Sequence, residues 1–478
     1  MTEGNNKIRR GIKAFFVQSK GKDVDMTVGS IYKNIFWFAL PLMIGNLFQQ
    51  LYNMVDTWVI GRMGNNDAFS AVGTVGPIIN ILIGVFTGLA SGAGIVISHH
   101  YGAKDKKKVH DSVHSFMFLT LALSVVFTFL GVAGAPFMLK LMLRSDSNME
   151  NIYPHALKYL TIYFAGISTM MVYNTGAGIL RAVGDSKRPF YFLVISALTN
   201  IVLDFLFVFA FDMGVEGVAL ATVIAQGLSG ALTIITLLRT DSVVKLIIKD
   251  IKWDGEMIKR IAIIGFPAAI QMSITAFSNV FVQSYVANVN QATTSHCLAG
   301  WTSYSKIDQF IFLPVQAISL GVTTFVGQNL GCGNRDRAKE GTRIAFYMAI
   351  IVTVTVISVV LLFTPWLAAV FNSEPQVVYY AKILLYNLTP FYLFCCVNQV
   401  FSASMRGAGN TKAPMFIMLG SFVAFRQVYL FVVSNYISND ILPVAFSYPA
   451  GWFVCCTATL VYYKFFHLKS KKLMSVIN

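Results

Sequence analysis

Two aspartates lie inside otherwise apolar stretches in the first half of the chain: Asp56 in FALPLMIGNLFQQLYNMVDTWVIG and Asp204 in FYFLVISALTNIVLDFLFVFAF. Tyr52 precedes Asp56 by four residues, and Asn200 precedes Asp204 by four. Residues at i and i+4 share a helix face, so each acid has a hydrogen-bonding neighbour on the side it presents. An aspartate at the centre of a membrane helix costs about 2.5–3.5 kcal/mol, which marks it as functional by default. Desolvated carboxylates held close together can take up and release protons near neutral pH. The same oxygens, joined by Asn, Thr and Tyr, could instead hold a hard cation such as sodium. The bland alternative is a pair of acids hydrogen-bonded for packing alone.

The elements that must position these acids follow from composition. The 478 residues are 55% hydrophobic and only 12% charged, with mean hydropathy +0.63. Soluble domains carry about 25% charged residues, so this is a polytopic membrane protein. About 20 apolar residues cross the hydrocarbon core as a helix. Twelve such segments are expected, near 34–60, 68–98, 111–135, 154–179, 189–211, 215–238, 257–287, 295–326, 342–366, 380–404, 413–436 and 441–466.

The net charge of +15 is distributed by topology. Thirty of the 37 Lys and Arg fall in the N-terminal segment, the even-numbered loops and the C-terminal tail. That alternation follows the positive-inside rule and puts both termini in the cytoplasm; the expected location is the plasma (inner) membrane. The basic loops face anionic lipid, and no nucleic-acid partner is expected. Residues 1–30 contain no apolar core with a small-residue cleavage site, so no cleaved signal peptide is expected. At 1.5 Å per residue, Asp56 lies ~8 Å below the outer end of span 1, and Asp204 and Thr222 each lie ~10 Å below theirs in spans 5 and 6. Asp56, Asp204 and Thr222 therefore share a level and, with Tyr52 and Asn200, form one candidate cluster.

The chain also repeats itself. Pro41 matches Pro267, Gly102 matches Gly331, Pro136 matches Pro365, and LRAVGDSKRP at 180–189 matches MRGAGNTKAP at 405–414. Four markers in one order at nearly constant offset indicate duplication. Each unit has six helices, so both enter the membrane from the same side, related by a pseudo-twofold axis along the membrane normal. The expected organisation is a cytoplasmic N-terminal segment 1–30, an N-lobe 31–240 (helices 1–6), a cytoplasmic linker 241–256, a C-lobe 257–466 (helices 7–12) and a cytoplasmic tail 467–478. The chemistry is unequal between halves: Asp56 corresponds to Val282 and Asp204 to Tyr429.

Other polar or special residues inside spans are few. Pro41 lies in span 1 fifteen residues before Asp56 and is a candidate hinge, since a mid-helix proline removes a backbone bond. Gly84, Gly88 and Gly92 form a small-xxx-small row suited to close helix packing. Lys306, Asp308 and Arg426 are possible substrate or structural contacts in the second half; Lys306 and Asp308, two apart, do not face each other, and Arg426 is one candidate partner for Asp308. A metal site at His99–His100, beside a basic loop, is not expected. The six cysteines form no C-x-x-C pair and read as reduced apolar residues. There is no G-x-x-x-x-G-K-[ST] loop for ATP and no G-x-S-x-G or H-E-x-x-H for hydrolysis, so we expect neither ATP-driven transport by this chain alone nor an enzyme. No metal or cofactor is expected beyond a coupling ion, H+ or Na+.

The Pro41…Val55-Asp56-Thr57 arrangement of span 1, the paired LRAVGDSKRP and MRGAGNTKAP loops, the VGQNLG turn at 326–331 and the Asn200/Asp204 pair resemble the multidrug and toxic compound extrusion (MATE) family across essentially all twelve spans. The resemblance is nearest to its DinF-like bacterial branch. It implies a proton- or sodium-coupled antiporter that exports organic cations and amphipathic drugs by alternating access. It carries the family's first-lobe cation site onto Tyr52, Asp56, Asn200, Asp204 and Thr222, and its hinge proline onto Pro41. Branches that also place acids in helices 7 and 10 are not matched here, since those spans have none. A second reading is a lipid-linked sugar flippase of the same superfamily, which would need a cationic cavity for phosphates; within spans only Lys306 and Arg426 could supply it. A channel is a third. The duplicated plan requires no partner, so a monomer is expected.

Overall fold

The computed structural model describes residues 24–62, 66–142, 149–289, 294–372 and 374–466, all helix, turn or loop with no strand among them. Of the expected N-terminal segment only residues 24–30 are described, and the tail 467–478 lies outside the described residues. The described residues contain 11 helices long and apolar enough to cross a membrane. The twelfth crossing, span 4, is broken into Met149–Ala165 and Ile167–Ala182, which is why neither piece qualifies by length. The break is local chemistry at Gly166. Its carbonyl is taken by the Thr169 N–H (3.0 Å) and the Thr169 hydroxyl (2.7 Å), which draws it out of the helical ladder. A side chain there would also strike Val223, 2.3 Å from an added Cβ. The fold is therefore all-α and integral to the membrane, with twelve crossings in two repeats of six.

The repeated loops explain themselves in backbone terms. Gly184 and Gly409 both have positive φ (+86° and +82°), the left-handed turn that ends span 4 and span 10. The next residue caps the following span: Asp185 accepts from the N–H of Lys187 and Arg188, and Asn410 accepts from Ala413. Glycine followed by Asp or Asn is thus a stop and a start, used once per half.

The pseudo-twofold axis can be located from reciprocal contacts. A Cβ added to Gly102 would fall 1.9 Å from the Gln328 carbonyl, and one added to Gly331 would fall 2.0 Å from the His99 carbonyl. His99 and Gln328 are themselves repeat mates at the Gly102/Gly331 offset, so residue i meets j′ and j meets i′, as a twofold contact requires. On the axis, Ser98 meets its own mate Gly327, with Ser98 Oγ 2.2 Å from an added Cβ. The halves thus join backbone to backbone at the end that carries the basic loops. Residues 24–29 run across this joint. Met26 N–H donates to Gln328 Oε1 (2.9 Å), Gln328 Nε2 donates to the Ala182 carbonyl (2.9 Å), and Val24 N–H donates to the Val183 carbonyl (3.1 Å).

Two further crossings link the halves, span 2 with span 7 and its mate, span 8 with span 1. They differ in tightness. At the first, Gly88 and Gly92 sit so close to Ala269 and Gly265 that an added Cβ would be 2.2 Å from either Cα, as the glycine row led us to expect. At the second, Gly321 has ordinary van der Waals room, 3.4 Å to the Phe38 ring. Span 1 is held less closely by the opposite half than span 7 is. Elsewhere the surface is apolar, with residues such as Phe129, Phe137, Leu362 and Trp366 facing outward, as lipid contact demands. The linker is pinned to span 3 near its start: His114 Nε2 accepts from Ile247 N–H (2.9 Å), while its Nδ1 donates to the His110 carbonyl (2.7 Å).

We expect Gly88→Ala to destabilise the protein by at least about 1–3 kcal/mol, because backbone and not a flexible side chain opposes the new methyl. Gly84→Ala, whose Cβ would sit 3.2 Å from Ser273, is expected to cost far less. Thermal unfolding of both variants in detergent checks this ordering; equal melting temperatures would contradict it.

Candidate ion-coupling site

Span 1 (Ile31–Arg62) packs along span 5, whose α-helix Lys187–Phe205 continues as a π turn over Leu206–Ala210. Gly45 permits the approach, with Leu193 and Phe190 side chains 3.2 and 3.3 Å from where its Cβ would be. Span 5 in turn packs on span 6 (Val215–Arg239). These contacts bring together what the sequence could only place at one level. The carboxyl groups of Asp56 and Asp204 face each other within hydrogen-bonding reach. Asp204 and Asn200 are 0% and 1% exposed. Asn200 Nδ2 donates to Thr222 Oγ1 (3.4 Å), and that hydroxyl donates to the Val218 carbonyl (3.0 Å). Tyr52 is buried on the same side of span 1, its hydroxyl within reach of Gln49 and Gln226.

The oxygens matter most. Asp56 Oδ1, both Asp204 oxygens and Asn200 Oδ1 are buried and have no hydrogen-bond partner. Four acceptors on spans 1 and 5 are therefore buried with no hydrogen-bond partner among the described residues. Leaving one buried polar group unsatisfied costs about 1–3 kcal/mol, and more when it is charged. Two carboxylates in contact also repel. A shared proton satisfies the pair, and so does a small cation drawing on the Asp56, Asp204 and Asn200 oxygens. The donor set fits either ion as cargo.

The π turn begins two residues after Asp204, and a second π turn, Val433–Ile437, ends the repeat-mate span 11. Such turns collect at functional sites because they break the regular ladder. Pro41 leaves span 1 continuous while removing the N–H that the Trp37 carbonyl would otherwise accept from.

Sequence reasoning missed Gln49, Gln226 and Tyr159. Gln226 lies four residues after Thr222 on the same face, so its signal was present. Tyr159, on span 4, lies close to both acids, a placement only tertiary packing reveals.

The second half is arranged differently. Arg426 follows a π segment, Leu419–Phe425, and is 2% exposed. Its guanidinium lies between the rings of Phe422 (4.5 Å) and Tyr448 (4.4 Å) and donates to Ser278 (3.2 Å) and Asn279 (3.5 Å). Asp308 accepts from Tyr304, one turn earlier in its own helix (3.5 Å). No ion pair joins Asp308 to Arg426 among the described residues. Lys306 lies elsewhere, on the wall of a cleft of about 320 Å³ that it shares with Met54, Thr57, Trp58, Gly61, Arg62 and Phe371.

One further group could ligate a metal: His110, His114 and Asp250, with ligand atoms within 4.8 Å of one another. Both His114 nitrogens are already committed to backbone groups, so the cluster acts as a clasp on the linker.

Comparison with known proteins agrees with this architecture. The chain is 29% identical over 446 residues to the probable multidrug resistance protein YoeA of Bacillus subtilis, covering 91% of this chain and 94% of that one. It is 24% identical to the multidrug export protein MepA of Staphylococcus aureus, covering 82% and 86%. Among solved structures, an outward-facing multidrug resistance MATE family transporter of the MOP superfamily superposes with TM-score 0.85 at 22% identity, over 95% of this chain and 98% of that one. A MOP superfamily transporter from Pyrococcus furiosus superposes with TM-score 0.86 at 22% identity, over 96% and 99%. The MatE family model matches twice, over residues 41–206 and 267–432, each match opening on the repeated proline of its half. With two copies of that domain covering most of its length, the chain belongs to the MatE family.

Proposed function

We propose that the protein is a secondary multidrug exporter that exchanges protons or sodium for organic cations and amphipathic drugs by alternating access. The observation that carries this is the donorless carboxylate pair, Asp56 and Asp204, which requires a mobile positive charge. The multidrug names of the relatives agree with it. The basic loops and both termini lie in the cytoplasm of a plasma-membrane protein that works as a monomer. The joint between the halves is then the closed cytoplasmic side, and the cleft beside Trp58 opens outward.

Span 1 provides the coupling. Tyr52, Val59 and Ile60, buried, and Asp56, partly so, form one face toward spans 5 and 6, while Met54, Thr57, Trp58 and Gly61, at i, i+3, i+4 and i+7, form the opposite face toward the cleft. A change of charge at the pair alters the force on one face, and the other face is a wall of the cargo site. Pro41 lets the outer part of the helix tilt against the inner part. Because ion and cargo act on one helix, each changes the other's affinity by the same factor.

Three outcomes test this. Ethidium efflux from energised, pump-deficient bacteria is expected with the wild type and absent with Asp204→Asn at normal expression; equal efflux would remove Asp204 from the coupling path. Asp56→Asn supplies the missing donor, so it should raise thermal stability in detergent by about 1–3 kcal/mol while ending coupled export. A lowered melting temperature would show that the pair was already satisfied. Pro41→Ala should slow turnover with ion binding intact, and an unchanged rate would dismiss the hinge.

A further inference from the structure

Lys306, on span 8, is a cation whose charge no described neighbour answers. It is half-buried, and no hydrogen bond, ion pair or ring contact engages it among the described residues. Arg426, by contrast, lies between two rings and donates through Nη1 to Ser278 and Asn279. Across the cleft from Lys306, Arg62 lies over the Trp58 ring at 5.2 Å. The cleft wall thus carries two positive charges and no acid among its described residues. The nearby acids point away. Asp56 is on the opposite face of span 1, and Asp308, two residues from Lys306 and so turned to another face of span 8, meets Tyr304. Met54, Trp58 and Phe371 supply apolar surface between the two cations, and the volume of about 320 Å³ admits a small aromatic body.

We propose that this cleft takes an amphipathic anion, an apolar ring system bearing a carboxylate or sulfonate, with Lys306 as the residue that selects the negative charge. A half-desolvated ammonium without a counterion is unfavourable, and a ligand that brings one is bound preferentially. The same chemistry would accept the headgroup of an anionic lipid. The inference rests on reading the cleft as the cargo site and extends the cargo beyond organic cations. The acid pair and the basic cleft then serve opposite charges on the two faces of span 1: the ion on one, an anionic or zwitterionic cargo on the other.

The test uses the full chain in phosphatidylcholine nanodiscs and two xanthene dyes of similar shape, anionic fluorescein and cationic rhodamine 6G, read by fluorescence anisotropy. Fluorescein should bind the wild type. It should bind Lys306→Met at least about tenfold more weakly and Lys306→Arg almost as well, since truncating one partner of a desolvated charge pair removes at least that much affinity. Rhodamine 6G should bind Lys306→Met no more weakly than wild type. Doping the discs with phosphatidylglycerol separates the sources: loss of fluorescein binding identifies a lipid headgroup as the natural anion, and unchanged binding identifies a soluble one. Should Lys306→Met fail to fold, the wild-type preference and the Arg variant still decide. If fluorescein fails to bind wild type, or binds Lys306→Met equally, while ethidium export persists, the anion site is overturned and the exporter stands. If neither dye binds and ethidium is not exported, the cargo reading of the cleft falls with it.

Discussion

The constraint on which this molecule turns is that two buried carboxylates, Asp56 and Asp204, face each other with no protein donor between them. An arrangement of that kind is not a resting structural feature, because each unmet buried acceptor costs about 1–3 kcal/mol and the mutual repulsion adds to it. In the reading proposed above, a positive charge from outside the fold completes it. Spans 1, 5 and 6 are organised around this incompleteness. Gly45 brings span 1 onto span 5, Asn200 is turned by Thr222 so that its carbonyl oxygen joins the unpaired set, and a π turn opens immediately after Asp204. If an ion finishes the site, as proposed, its departure changes the energy there, and span 1 is the element placed to respond.

The duplication sharpens the contrast between the halves. Where the first half has Asp56 and Asp204, the second has Val282, fully buried among apolar side chains, and Tyr429, whose hydroxyl donates to the Pro443 carbonyl. Its buried Arg426 lies between two rings, each such contact worth about 0.5–2 kcal/mol. The second-half positions that match the two acids are therefore satisfied by their own surroundings, and the acids of the first half are not. The interlobe crossings follow the same division: spans 2 and 7 meet backbone to backbone, while spans 1 and 8 keep side-chain distance. Span 1 is thus the first-half span held more loosely against the opposite half, and span 2 the one held tightly.

Much of this was legible in the sequence because lipid makes polar residues conspicuous. Asp56, Asp204, Asn200 and Thr222 stood out as exceptions in apolar runs, and their common depth followed from helix rise and loop charge. The Gly-Asx loops announced the repeat, since a left-handed glycine and a cap are local requirements that each half must meet. What was not legible depended on tertiary approach. Tyr159 joins the acids only because span 4 folds beside them, and no spacing rule predicts that. The fate of Asp308 and Arg426 was open because two charged residues on separate spans can pair or be satisfied apart; the rings of Phe422 and Tyr448 decide it. The break at Gly166 comes from Thr169, three residues on, whose hydroxyl and N–H both take its carbonyl, a local contact that helix propensity does not encode. The strap at residues 24–29 is held by Gln328, a polar residue whose meaning appears only once both halves are placed.

The most direct measurement is reconstitution of the purified protein into liposomes with an imposed proton or sodium gradient, following ethidium movement and ion counterflow together. Ethidium should move uphill only when one of the two ions runs downhill in the opposite direction, with both fluxes stopped by Asp204→Asn. Ethidium equilibration that ignores both gradients, in wild type and variant alike, would contradict the proposal that an ion completing the Asp56–Asp204 pair drives transport.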